Sequence, residues 1–77
     1  MTPAEELLAA VKKHATADVD FTFTPHHSNL HVGGNADAYV FFSASKKLWM
    51  EDVPRRGLFT HDSASSAVYS AFLRARK

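Results

Sequence analysis

Any chemistry in this chain would fall first to its histidines. His26, His27 and His31 lie within six residues of one another, and His61-Asp62 could approach them from later in the sequence. Imidazole nitrogens bind zinc, copper or nickel, and an exposed loop could present several together. Adjacent histidines point apart in extended backbone, however, and the chain has no cysteine to complete a ligand set. The His27–His31 spacing would join two rings on a helix, but Pro25, Ser28 and Asn29 argue for a loop there. No metal is expected.

Nucleophilic catalysis fares no better. Ser43, Ser45, Ser63, Ser65, Ser66 and Ser70 are plentiful, yet no nucleophile elbow surrounds any of them. His61 and Asp62 are neighbours in sequence rather than partners across a site, and Asp62 reads as a helix cap. The pairs Glu5-Glu6 and Glu51-Asp52 read as solvated helix and loop residues. A small-molecule site needs an enclosed pocket of roughly 300–1,000 Å³, for which so short a chain has little room. Gly33-Gly34 could suggest a phosphate cradle, but no helix follows it and a hairpin explains it better. The expectation is a non-enzymatic protein without catalytic residues or cofactor.

What remains is binding. Lys46, Lys47, Arg55 and Arg56 fall on two loops flanking Trp49, and Arg74, Arg76 and Lys77 end the chain. Basic loops could contact phosphates while Trp49, Tyr39 or Phe41 stack on bases. The same residues could serve a protein interface, with Tyr39, Phe41 and Trp49 as aromatic anchors and Lys46, Lys47, Arg55 and Arg56 as rim or steering charges. Charge is unevenly distributed: residues 1–44 are net −3 and residues 45–77 net +4, for +1 in total. So slight an overall excess argues against a uniformly basic nucleic-acid binder.

The elements that must position these residues are legible. Thr2-Pro3-Ala4-Glu5 opens a helix with a capping box and a proline at its first position. Ala4, Leu7, Leu8, Val11 and Ala15 form one apolar stripe, so a helix is expected over 3–15. Val19, Phe21 and Phe23 alternate with Asp20, Thr22 and Thr24, which predicts a strand ended by Pro25. Leu30 and Val32 make a second short strand, and Gly33-Gly34-Asn35 a tight hairpin turn. The run Ala36–Ser43 is the organising strand, apolar on both faces. Ser45-Lys46-Lys47 turns it towards a fourth strand over 47–51, and Leu58-Phe59 is either a strand fragment or a plug. A final helix, capped by Thr60 or Asp62, carries Ala64, Ala67, Val68, Ala71, Phe72 and Ala75 as its buried stripe, with Arg74, Arg76 and Lys77 suiting the negative end of its dipole.

The fold class expected is therefore α+β: a helix, three or four antiparallel strands and a helix, in two layers, forming one small domain over residues 1–77. Phe21, Val40 and Phe72 are expected in its core. At 77 residues with 45% apolar composition, the chain buries only roughly 60% of its unfolded surface, so a homodimer would be a natural way to bury more. If Val40 and Phe42 face the helices, Tyr39 and Phe41 must face away, leaving an aromatic patch with His31 and Trp49.

The order of elements resembles that of the double-stranded-RNA-binding domain, which implies RNA contact through lysines at the start of the last helix. Here that position reads Asp62-Ser63-Ala64-Ser65-Ser66, without a lysine. Gly57-Leu58-Phe59 running into an Ala-rich helix with Tyr69 resembles the DNA-binding domain of plant ethylene-response factors and phage integrases. Those domains read bases with arginines and tryptophans on their strands, whereas Tyr39–Ser43 carries no basic side chain. The favoured expectation is stoichiometric binding of a protein, with nucleic acid as the alternative. By association, small cofactor-free domains of this kind include regulators and inhibitors from bacteria, phages and mobile elements, anti-CRISPR proteins among them. No apolar run reaches the roughly 20 residues of a membrane span and no secretory signal opens the chain, so a cytoplasmic protein is expected.

Overall fold

A computed structural model describes residues 2–76; Lys77, expected at the end of the last helix, lies outside them. Helix α1 spans Pro3–His14 and starts as its sequence requires. The Thr2 side chain accepts from the Glu5 backbone N–H at 3.2 Å, and the Glu5 carboxylate accepts from the Thr2 N–H at 3.1 Å. Ala15, expected as the last helical residue, is instead the C-cap in extended conformation.

Five strands follow: β1 (Phe21–Thr24), β2 (Asn29–Val32), β3 (Ala38–Ser43), β4 (Leu48–Val53) and β5 (Gly57–His61). They form one antiparallel meander in chain order. The α+β class is as expected, with one strand more than the three or four counted, because Gly57–His61 pairs with β4 along its whole length. Two strands start later than their hydrophobic patterns suggest. Val19 is buried ahead of β1, and Ala36 is buried within the turn ahead of β3. That turn is not a two-residue hairpin but runs from Gly33 to Asp37, with positive φ at Gly34 (64°) and Asp37 (47°). The segment expected as loop, Pro25–His27, winds into a single 3₁₀ turn.

Helix α2 spans Ala64–Ala75. Its N-cap is Ser63, whose hydroxyl accepts from the Ser66 N–H at 3.1 Å, rather than Thr60 or Asp62. Thr60 is unavailable because the fifth strand continues through it. Its stripe is buried at every expected position from Ala64 to Ala75.

Residues directly opposite one another in an antiparallel ladder share a face. The registers Leu30–Val40, Val40–Glu51, Phe42–Trp49 and Glu51–Phe59 therefore define one face, and Asn29–Phe41, His31–Tyr39, Phe41–Met50 and Asp52–Leu58 the other. Both helices cover the first face, where Leu7, Val11, Leu30, Val40, Trp49 and Phe72 meet in one core. Phe21, expected in that core, is 41% exposed on the edge strand and touches Phe72 only edge-on, with centroids 5.6 Å apart. Among the described residues no helix is long and apolar enough to cross a membrane.

Candidate functional site

The face that the helices leave uncovered runs through the middle of the sheet. On β3 it presents Tyr39 and Phe41, on β4 Met50 and Asp52, and on β5 Leu58 and Thr60. Tyr39 is 43% and Leu58 is 58% exposed. Met50 is nearly buried yet stands apart from the main core, and so do the partly exposed Phe41 and Leu48. The imidazole of His31 stacks on the ring of Tyr39, with centroids 4.6 Å apart and planes at 28°. His31 Nε2 lies 2.6 Å from Asp37 Oδ1, which anchors one side of that stack. Asp37 itself has a positive φ of 47°.

The structure brings together only some of the residues expected here. Tyr39 and Phe41 share the open face as expected. Trp49 does not join them: it is 3% exposed, lies on the helix-covered face and packs against Phe42 with centroids 5.3 Å apart. It is a core residue. The alternation within β4 alone could not reveal this; only the register, Trp49 opposite Phe42, assigns its face. The basic residues divide as well. Lys46 and Lys47 occupy the turn before β4, and Arg55 and Arg56 the turn after it. Six residues of strand hold the two pairs apart by roughly 20 Å. Lys47 and Arg56 contribute to clefts on the helix side of the sheet, while Lys46 and Arg55 line neither cleft and are exposed in the turns at the two ends of β4.

Glu51, expected as a solvated residue, is instead fully buried on the covered face. Arg74 Nε donates to its Oε2 at 3.2 Å. Ser70 Oγ donates to its Oε1 at 2.8 Å, and His61 Nε2 lies 3.0 Å from the same oxygen. Ser66 Oγ is 3.0 Å from the other ring nitrogen of His61. Ser66, His61 and Glu51 thus stand in the order of a hydrolase relay. The oxyanion stabilisation such a relay requires is missing at the serine itself. The N–H groups of Ser66 and Ala67 are both spent on Ser63, at 3.1 and 3.2 Å. Neither Ser66 nor His61 lines either of two clefts on the helix side. The arrangement's evident effect is to satisfy a buried carboxylate, which would otherwise cost several kcal/mol. Ser66 and Ser70 of α2, opposite its apolar stripe in sequence, belong to this network.

Room for a ligand is larger than the chain length suggests. A cleft of about 520 Å³ opens between α1 and the start of α2, floored by Phe42 and Trp49 and edged by Lys13, Lys47, Glu6 and Asp62. A second, of about 320 Å³, lies at the opposite end of α2. The rings of His26 and His27 do not point apart, since the 3₁₀ turn sets them edge to face at 4.8 Å. No group of three metal-ligating side chains occurs among the described residues. Comparison with protein-family models, with curated proteins and with solved structures found no match to this chain.

Proposed function

We propose that this chain is a non-enzymatic binding protein that acts by stoichiometric contact with another protein through the open face of its sheet. The observation that carries this reading is an apolar strip across three strands on the face without helices, with Tyr39 and Leu58 exposed, Phe41 and Leu48 partly exposed and Met50 buried between them. Exposed aromatic and aliphatic patches edged by polar groups mark interaction surfaces. The strands of that face carry no lysine or arginine, which favours a protein over a phosphate backbone. The partner's chemistry follows from the rim. Lys46 and Arg55 stand at the two ends, so the matching surface is apolar with acidic groups at its margins. A second copy suits the strip less well: stacked along β4 in either direction, it sets basic end against basic end. By association with other small cofactor-free domains, the role is that of a regulator or inhibitor. The lack of cysteine suits the reducing cytoplasm.

A photo-crosslinking residue placed at position 39 tests this in the native host, with position 69 as control. Tyr69 is 50% exposed on α2, away from the strip. We expect a protein adduct from position 39 that Leu58→Lys abolishes while the far-ultraviolet circular dichroism spectrum stays unchanged. Equal adducts from both positions, a nucleic-acid adduct or a self-adduct alone would each defeat the proposal.

A further inference from the structure

The second cleft joins three segments that are remote in sequence. The Gly33–Asp37 turn is tied under the end of α2: Asn35 N–H donates to Ala75 O at 3.3 Å, and the Asn35 amide donates to Arg76 O at 3.5 Å. Gly34 makes that approach possible, since a Cβ there would meet Ala75 O at 2.9 Å. The β4–β5 turn closes the other side through Pro54 and Arg56. The result is a cleft of about 320 Å³ into which Arg56, Arg74 and Arg76 all contribute, beside the apolar surface of Val53 and Pro54.

The three arginines are not equivalent. Arg74 is held in place on two sides. Its Nε is bound to buried Glu51, and its guanidinium carbon lies 4.5 Å from the centroid of the Phe59 ring. A guanidinium fixed by its Nε keeps its two terminal amino groups available in a planar fork, the geometry that meets a phosphate or carboxylate with two hydrogen bonds. Fixing it in advance removes much of the ordering cost that a flexible side chain adds to binding. Arg56 and Arg76 are exposed and make no ion pair among the described residues. Asp18 is an acidic neighbour of Arg76, but it is exposed and its effect is screened by solvent. Of the three cations only Arg74 is ion-paired among the described residues, to Glu51, which leaves an excess of positive charge that suits a doubly charged anion.

We infer that the cleft bounded by Arg56, Arg74 and Arg76 is a binding site for a phosphate monoester, the dianion on the arginines and its organic body against Val53 and Pro54. The volume supports an ester rather than the bare ion, because it leaves room beside the phosphate. The source could be a phosphorylated side chain or a mononucleotide; both present the same group. This site lies on the helix side of the sheet and stands or falls independently of the open face.

The test is a titration of the full-length chain, ¹⁵N-labelled and at constant ionic strength, with inorganic phosphate, O-phosphoserine and adenosine monophosphate in turn. The expected result is saturable shifts of the Asn35, Ala36, Val53 and Arg56 amides, with at least one ester binding more tightly than inorganic phosphate. The tighter ester identifies the source. Arg56→Ala and Arg76→Ala should each weaken binding by roughly tenfold or more, the scale of one lost charge-assisted hydrogen bond. Both side chains are outside the core, so these variants should fold. Arg55→Ala, one residue away and outside the cleft, should change affinity less than twofold. Linear, non-saturating shifts overturn the site. Equal affinity for inorganic phosphate and both esters overturns the ester assignment. Equal sensitivity to Arg55→Ala and Arg56→Ala, or tighter binding of a short oligonucleotide with both arginines engaged, would show a diffuse backbone contact instead.

Discussion

Trp49 and Met50 are consecutive on β4 and almost equally hidden, at 3% and 5% exposure, yet they belong to different environments. Trp49 sits on the face that α1 and α2 cover and joins the main core; Met50 sits on the other face and does not. The covered face is so complete that it holds a charged residue. Glu51 is tolerated there because α2 and β5 deliver Arg74, Ser70 and His61 to its two oxygens. The open face has no such closure. No helix covers its apolar residues, and Tyr39 and Leu58 are in contact with water. One face is finished by the chain's own helices, and the other is the face we propose a partner completes. Polar groups deep in a core need every bond made, whereas an interface needs only apolar area and a tolerant rim.

The sharpest way to break this contrast is to leave Glu51 without its strongest partner. Arg74→Ala should destabilise the fold by about 3–5 kcal/mol, measured by urea unfolding, because it strands a buried carboxylate. Replacing Glu51 and Arg74 together with leucines should recover most of that loss, as paired apolar substitutions at buried ion pairs often do. A tolerated Arg74→Ala would mean that Glu51 is not sealed from water.

A smaller effect is expected where α2 meets the turn after β2. Gly34→Ala combines a positive φ of 64° with a Cβ that would lie 2.9 Å from Ala75 O. Gly57→Ala has a positive φ of 97° but nothing within 4 Å of the added atom. The first should fall at the upper end of about 1–3 kcal/mol and the second at the lower end, a ranking that thermal unfolding can check.

On the open face the expected loss of stability is smaller still. Leu58→Lys should stay within about 0.5 kcal/mol of the parent in urea unfolding, as surface substitutions do. A larger loss would show that the strip is core rather than interface.

The smallest effect concerns pH. His14 lies 2.7 Å from Ser65 Oγ, and partial burial, then the charge of Lys13, holds its pKa below the ordinary histidine value. The fold therefore favours the neutral ring. Its contribution is complete above the unfolded pKa, about 6.5, and is lost as pH falls through and below that value. His14→Gln should flatten the decline in stability between pH 7 and pH 5, followed by urea midpoints at each pH.

How much of this was legible in the sequence varies with the range of the interaction. The start of α1 could be read outright, since Thr2, Pro3 and Glu5 act within one turn. The buried stripe of α2 and the sidedness of β3 could be read too, because a period of 3.6 or of 2 is a local property. The open positions of Tyr39 and Phe41 followed from the same alternation. The fate of Trp49 did not, since its face depends on which residue of β3 it pairs with, and a shift of one position would reverse it. Phe21 looked like core by the same alternation, but edge position left it half exposed.

Glu51, Ser66, Ser70 and the arginine cleft were beyond the sequence for a further reason. A carboxylate is buried only if donors arrive from elsewhere, and here they come from 10 to 23 residues downstream. Arg56 and Arg76 line one cleft in which the Gly33–Asp37 turn docks beneath α2, a contact that spans 41 residues between Asn35 and Arg76. Local patterning by itself determined both helices, the apolar stripe of α2 and the two sides of β3, because those preferences act between neighbours. Only the tertiary structure decided which charges are buried and which converge, because that depends on the order in which distant segments pack.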